Sequence, residues 1–199
     1  MKTGNQNHPK KGSSTVVSGI HSEKDIESIK KLLSNNTRDL MLFILGINLG
    51  LRMGDLLRIQ VKDVRNLKVG DTIQIKEQKT GKLNVIGMNK TCHKILKQFL
   101  DENKPDDSEY LFKSRKGDNK PLSVPTVNGK IKEWTKSINL KGNYGTHSLR
   151  KTFGYIQRVK HNVGFEVLCK RFSHSSPSIT MKYIGVESKE VVGILMNEI

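Results

Sequence analysis

The sequence predicts a mainly α-helical domain with one small antiparallel β-sheet, and three observations carry that expectation. Apolar residues recur at helical spacing along most of the chain from Ile26 onward. Strand-like alternation is confined to one stretch, residues 61–88. Within that stretch a glycine turn, KTGK, separates two β-rich runs. With 199 residues the chain is long enough to bury one substantial core.

Residues 1–20 are polar, rich in Gly, Ser, Asn and Lys, and without periodicity, so they read as a basic, disordered arm or linker ahead of a domain over 21–199. Ser22 is a natural N-cap for a first helix carrying Ile26, Ile29, Leu32 and Leu33. A second helix over 37–49 is apolar nearly all round (Leu40, Leu42, Phe43, Ile44, Leu45, Ile47) and must be central. Gly50 ends it, and LGLRMGDLLRI opens a short helix with Asp55, Leu56 and Leu57. VKDV, DTIQIKEQ and KLNVIGM are β-rich, and the hairpin between the last two places Lys79 and Lys82 at its tip. Helix returns over 90–102, followed by a loop rich in Asp, Lys and Gly over 103–123. Val127, Ile131, Trp134 and Ile138 mark the next helix, and Leu149, Phe153 and Ile156 the one after it. Three short helices are expected over 163–172, 176–184 and 187–198.

Thirty-five Lys and Arg face nineteen Asp and Glu, a formal net charge of +16. A charge of that size concerns partners rather than fold, and nucleic acid is the foremost of them. A membrane surface fits poorly, because no amphipathic segment joins a polybasic face to bulky apolar anchors, and no run approaches the length of a membrane span. The first residues lack the apolar stretch of a secretory signal. Cys92 and Cys169 stand apart, as thiols do in a reducing cytoplasm. The histidines show no metal-ligand spacing, so no metal is expected.

Six side chains could carry chemistry. In THSLR, His147 and Arg150 lie three apart at a helix start and point to one side, a pair suited to a phosphate; the plain alternative is a capped helix with a solvated arginine. Arg52 follows an apolar helix into GLRMGD, where a guanidinium needs a partner. That partner is either a phosphate or Asp55, which could also orient a histidine. Lys79 could touch phosphate or protonate a leaving group. His174 and Tyr183 close the set. A phenol with a pKa of about 10 is a weak nucleophile unless cations stabilise both the phenolate and a pentacoordinate phosphorus. Arg52, Lys79, His147, Arg150 and His174 are such an environment.

The order of these boxes, GLRMGDLLRI, KTGK, THSLRKTF and SHSSPSITMKYIG, resembles the tyrosine recombinases of the phage integrase family over residues 20–199. The resemblance implies the catalytic-domain fold of that family and site-specific recombination of double-stranded DNA through a 3′-phosphotyrosine, with no cofactor because the bond energy is kept in that link. Tyr183 would be the nucleophile, Arg52 and Arg150 the clamp on the non-bridging oxygens, and Lys79 the general acid. His147 would move protons, His174 would donate to the phosphate, and Asp55 would support the site from behind. It also implies a tetramer on paired DNA sites, with C-terminal segments passed between neighbours; Val191, Val192, Leu195 and Ile199 form a suitable stripe. Lys151 and Ser173 depart from the family, which often has histidine and glycine there. Most members also carry an N-terminal core-binding domain, so the chain is expected to be a short member or a fragment. The rivals are type IB topoisomerase-like relaxation and a non-catalytic DNA-binding regulator of recombination.

Overall fold

The computed structural model describes residues 16–186, 192, 193 and 195–198. The chain folds as α1 (Glu23–Leu32), α2 (Thr37–Leu49), α3 (Met53–Leu56), α4 (Val61–Val64), β1 (Thr72–Lys76), β2 (Leu83–Gly87), α5 (Lys90–Asn103), α6 (Val124–Ser137), α7 (Thr146–Val159), α8 (Phe165–Phe172) and α9 (Pro177–Ile184). Mainly α with one small antiparallel sheet is therefore the observed class.

Side-chain caps set several boundaries. The Ser22, Asn36, Asn89, Ser123 and Ser176 side chains each accept a backbone N–H from the first turn of the helix that follows. Helix α2 is buried on almost every side and packs against α5 and α7. It stops at Gly50, whose φ of +59° is left-handed, and a Cβ there would lie 2.4 Å from the Phe153 ring. That stop turns the chain straight into Arg52.

Most buried apolar residues, from Ile20 to Leu149, form one core built on α2, α5, α6 and the inner face of α7. Leu168, Phe172, Ile184 and Val186 form a second, smaller cluster with Phe153, Met181 and Tyr183 packed against it. The α8–α9 pair thus rides on α7 over a modest apolar contact, the kind of unit that opens at lower free energy than the main core. Gly154 permits the close approach: a Cβ there would sit 2.6 Å from Ile184 and 2.8 Å from Phe172. Gly154→Ala is expected to cost about 1–3 kcal/mol and, by pushing α9 outward, to slow any reaction of Tyr183 more than tenfold (about the effect of a small misplacement). Thermal unfolding and single-turnover kinetics on one preparation check both.

Two expectations need correction. VKDV is not a strand but α4, because the Asp63 carboxylate caps the Gln60 N–H at 2.9 Å and the Val61 N–H reaches Glu109 O at 2.9 Å. β-branched residues there obey the cap and the loop rather than their strand propensity. Second, residues 16–20, placed in the arm by composition, pack on the domain. Ser18 N–H donates to Asn143 O (2.9 Å), Ile20 N–H to Thr152 Oγ1 (2.7 Å), and Ile20 is buried. The loop expected over 103–123 is present between α5 and α6, pinned by buried Leu111, Phe112 and Leu122 and by isolated bridges from Tyr110 to Gln60 and from Lys113 to Pro121. Residues 1–15, and most of the helix expected over 187–198, lie outside the described residues. Cys92 and Cys169 are free thiols, and burial pushes Cys92 up to about 12. Among the described residues no helix is long and apolar enough to cross a membrane.

In the sheet, β1 and β2 pair antiparallel with Ile73 opposite Ile86 and Ile75 opposite Asn84. Period-two alternation turns Asn84, Ile86 and Met88 inward from β2. On β1 the same parity runs Ile73, Ile75 and on to Glu77, which is only 1% exposed. Beyond it the chain reverses over Gln78, Lys79, Thr80 and Gly81, closed by bonds from Glu77 N–H to Lys82 O and from Gly81 N–H to Glu77 O, each 2.9 Å.

Candidate active site

Five of the six residues converge where α3, α7 and the α8–α9 pair meet. Arg150, in the second turn of α7, is 3% exposed. Its Nη1–H donates to Gly50 O at 2.9 Å and its Nη2–H to Phe172 O at 3.0 Å, while the guanidinium carbon lies 4.8 Å over the Phe172 ring. This excludes a solvated, merely capping arginine. Burial lowers Arg150 to about 10, partly offset by the neighbouring Tyr183, and it stays charged at neutral pH.

Tyr183, in the last turn of α9, is half-buried. Its ring meets Phe172 edge-on at 5.5 Å and His174 at 5.0 Å, with Lys151 Nζ 5.0 Å from the ring centroid. Its Oη lies 3.5 Å from His147 Nδ1, at the outer edge of hydrogen-bond reach. Burial raises the phenol above its ordinary value, against the charges of Arg150 and Arg52 and a hydrogen bond from Arg150. The cations therefore do not ionise Tyr183 unaided; a proton acceptor is required.

His147 can be that acceptor. Desolvation, then the charges of Arg150, Lys151, Arg52 and Lys79, hold its imidazole below the ordinary value, so it is neutral at pH 7. His174 is likewise lowered, by burial and then by Arg150 and Arg52. Its Nδ1 sits 2.9 Å from Thr180 Oγ1. The tautomer decides which of the two donates; in the form with Nδ1 accepting from the hydroxyl, Nε2 carries the proton and is a donor. Because a lowered pKa keeps His147 basic down to below its usual 6.5, nucleophilic attack by Tyr183 should be pH-independent around 7. It should fall only as the solution is taken below about 6.5. Rates of adduct formation between pH 5 and 8 check this, and His147→Gln should flatten the acid limb.

Arg52 caps α3, half-buried, with Nη1 2.5 Å from the Glu77 carboxylate. The Arg52–Asp55 pair, the alternative to a phosphate partner for Arg52, does not form. Asp55 instead accepts the Gln78 N–H at 2.9 Å, so it braces the root of the Lys79 hairpin rather than the guanidinium or a histidine. Lys79 stays exposed at the hairpin tip, with its charge felt at His147. The sequence reading missed Glu77, Phe172 and Thr180. Strand parity from Ile73 and Ile75 would have found Glu77; nothing in the pattern singled out the other two.

The arrangement is a cationic pocket with a phenol at its edge, suited to an oxyanion that gains charge during attack by an oxygen nucleophile. The model of the phage integrase family matches residues 21–190, and the chain belongs to that family. With that membership it is a tyrosine recombinase, an enzyme of site-specific recombination. "Probable integrase/recombinase YoeC" of Bacillus subtilis (strain 168) is 39% identical over 175 residues, covering 86% of this chain and 91% of that one. "Tyrosine recombinase XerC" of Caldanaerobacter subterraneus subsp. tengcongensis is 30% identical over 83% of this chain, which spans 48% of the relative's length. Among solved structures, the XerA recombinase superposes with a TM-score of 0.72 at 20% identity, over 92% of this chain and 67% of that one. XerH bound to palindromic difH in a post-cleavage complex gives 0.69 at 22%, over 86% and 50%. At those identities the likeness speaks for the fold alone.

Proposed function

We propose that this chain cleaves and rejoins double-stranded DNA at specific sites, with Tyr183 as the nucleophile. The observation that carries the reading is the placement of Tyr183 Oη beside His147, next to a buried Arg150 and with Arg52 nearby. Arg52, Arg150 and His174 hold the non-bridging oxygens of the scissile phosphate. The phenol proton passes to His147 as Tyr183 Oη bonds to phosphorus. The bond from phosphorus to the 5′-oxygen breaks, and Lys79 protonates the leaving oxygen. The products are a 3′-phosphotyrosine and a free 5′-hydroxyl. Attack by a 5′-hydroxyl from another strand reverses every step and restores the phenol, and because one ester replaces another no energy-rich cofactor is consumed.

The charge of +16 supports duplex DNA as the partner. Work on two paired sites calls for a homotetramer, and the exposed Val192 and Leu195 (57% and 71%) are apolar groups that a neighbouring copy could cover. The work takes place on DNA, in the cytoplasm. The test is covalent capture with EDTA present: a library of random-sequence duplexes, nicked so that the 5′-hydroxyl fragment escapes, is incubated with the protein and denatured. A protein-linked strand pool that converges on one site is the expected result. Binding without linkage would leave a DNA-binding regulator, and linkage with relaxation but no exchange between marked sites would leave a topoisomerase-like enzyme.

A further inference from the structure

Glu77 is a buried carboxylate that the chemistry above does not use. Its two oxygens are fully engaged. One accepts from Asn84 Nδ2–H at 2.8 Å; the other accepts from Thr80 Oγ1–H at 2.6 Å and faces Arg52 Nη1 at 2.5 Å. Asn84 in turn accepts through Oδ1 from Arg171, whose other Nη–H bonds reach the carbonyls of Val85 on β2 and Leu49 at the end of α2. Arg171 lies in the last turn of α8, three residues before His174. One acid therefore joins the hairpin that carries Lys79, the loop that carries Arg52 and the helix that leads to His174. Burial raises the Glu77 carboxyl, but the bonds from Thr80 and Asn84 and the Arg52 guanidinium outweigh it, and the group is ionised at neutral pH.

We propose that Glu77 is a positioning residue that ties Arg52 to the Lys79 hairpin, so that the phosphate clamp and the general acid are delivered to the DNA as one unit. The inference rests on the roles proposed above for Arg52 and Lys79. A hairpin tip is otherwise free to swing, and the Arg52 fork, unpaired on that side, could rotate away from its working orientation. Asp55 on the Gln78 N–H fixes the near side of the hairpin, and Glu77 fixes the far side.

Sulfur in place of the bridging 5′-oxygen separates the two deliveries. A thiolate, with a pKa of about 8.5, leaves without a proton, so loss of Lys79 is forgiven on that substrate and loss of Arg52 is not. With the captured duplex in oxygen and sulfur forms, Glu77→Gln should cleave the oxygen form about 100-fold more slowly, the scale of a small misplacement. DNA affinity should stay within about threefold. The sulfur form should recover only part of the rate, between Lys79→Ala (full recovery) and Arg52→Ala (none). Asn84→Ala, which removes one strut and keeps the charge, should show the same pattern more weakly, and it covers the case in which Glu77→Gln fails to fold. Wild-type rates on both substrates, or full recovery with sulfur, would overturn the tie. Guanidinium NMR of the DNA-free protein reads the tie apart from catalysis: resolved Arg52 Nη–H signals should collapse to an averaged one in Glu77→Gln. If the wild type captures no duplex, the proposed function falls, while this signal still decides whether Glu77 holds Arg52.

Discussion

Tyr183→Phe is expected to abolish covalent capture of DNA, by at least about 10³-fold and with no residual adduct at that position, while leaving the fold in place. The structure separates the two effects. The ring is held by Phe172, His174 and Lys151, contacts that phenylalanine reproduces. The hydroxyl is placed against His147 and the Arg150 charge, neither of which depends on it for its own position. Losing it should therefore change stability by no more than about 1 kcal/mol. DNA binding should persist, because the cations that meet the phosphate remain. A variant that binds like the wild type and links nothing is the signature of a lost nucleophile rather than a lost fold.

Arg150→Ala should be costly in both respects. Truncation leaves Gly50 O and Phe172 O without their donors inside the protein, at about 1–3 kcal/mol each, and opens a gap beneath Phe172. A loss of about 3–5 kcal/mol follows, which for a domain of this size lowers the melting temperature by roughly 10 °C. Cleavage should fall by about 10²–10³ beyond what stability explains, as for removal of one donor to a developing oxyanion. Arg150→Lys distinguishes charge from shape. One ammonium cannot reach both carbonyls and a phosphate, so part of the stability should return and little of the rate.

How much of this was legible in the sequence depends on the distance over which each cause acts. Helix starts at Ser22, Asn36 and Ser123 follow from caps three residues away, and α2 announces itself by being apolar all round. The reactive set is readable because attack on a phosphodiester demands a nucleophile and several cations, and those residue types stand in one order along the chain. What was misread depends on partners remote in sequence. Residues 16–20 are ordered by Asn143 and Thr152, more than a hundred positions on. Arg52 was offered its nearest acid, Asp55, yet a helix turn directs that carboxylate to the hairpin backbone, and the hairpin brings Glu77 in from 25 positions away. Phe172 reads as one more core aromatic, although its carbonyl and ring hold Arg150 and its edge meets the nucleophile. Ser173 adopts a left-handed φ of +55°, a conformation that favours glycine and makes serine the strained choice there.

The tyrosine that joins the DNA identifies the nucleophile directly. The chain has four, Tyr110, Tyr144, Tyr155 and Tyr183, and it is the Tyr183 hydroxyl that lies 3.5 Å from His147 Nδ1. Covalent adduct trapped on the captured duplex in EDTA can be digested with trypsin and the DNA-bearing peptide sequenced. The predicted peptide begins after Lys182 and runs from residue 183 to 189, with the nucleotide on its first residue. A DNA-bearing peptide containing Tyr110, Tyr144 or Tyr155 would contradict the account.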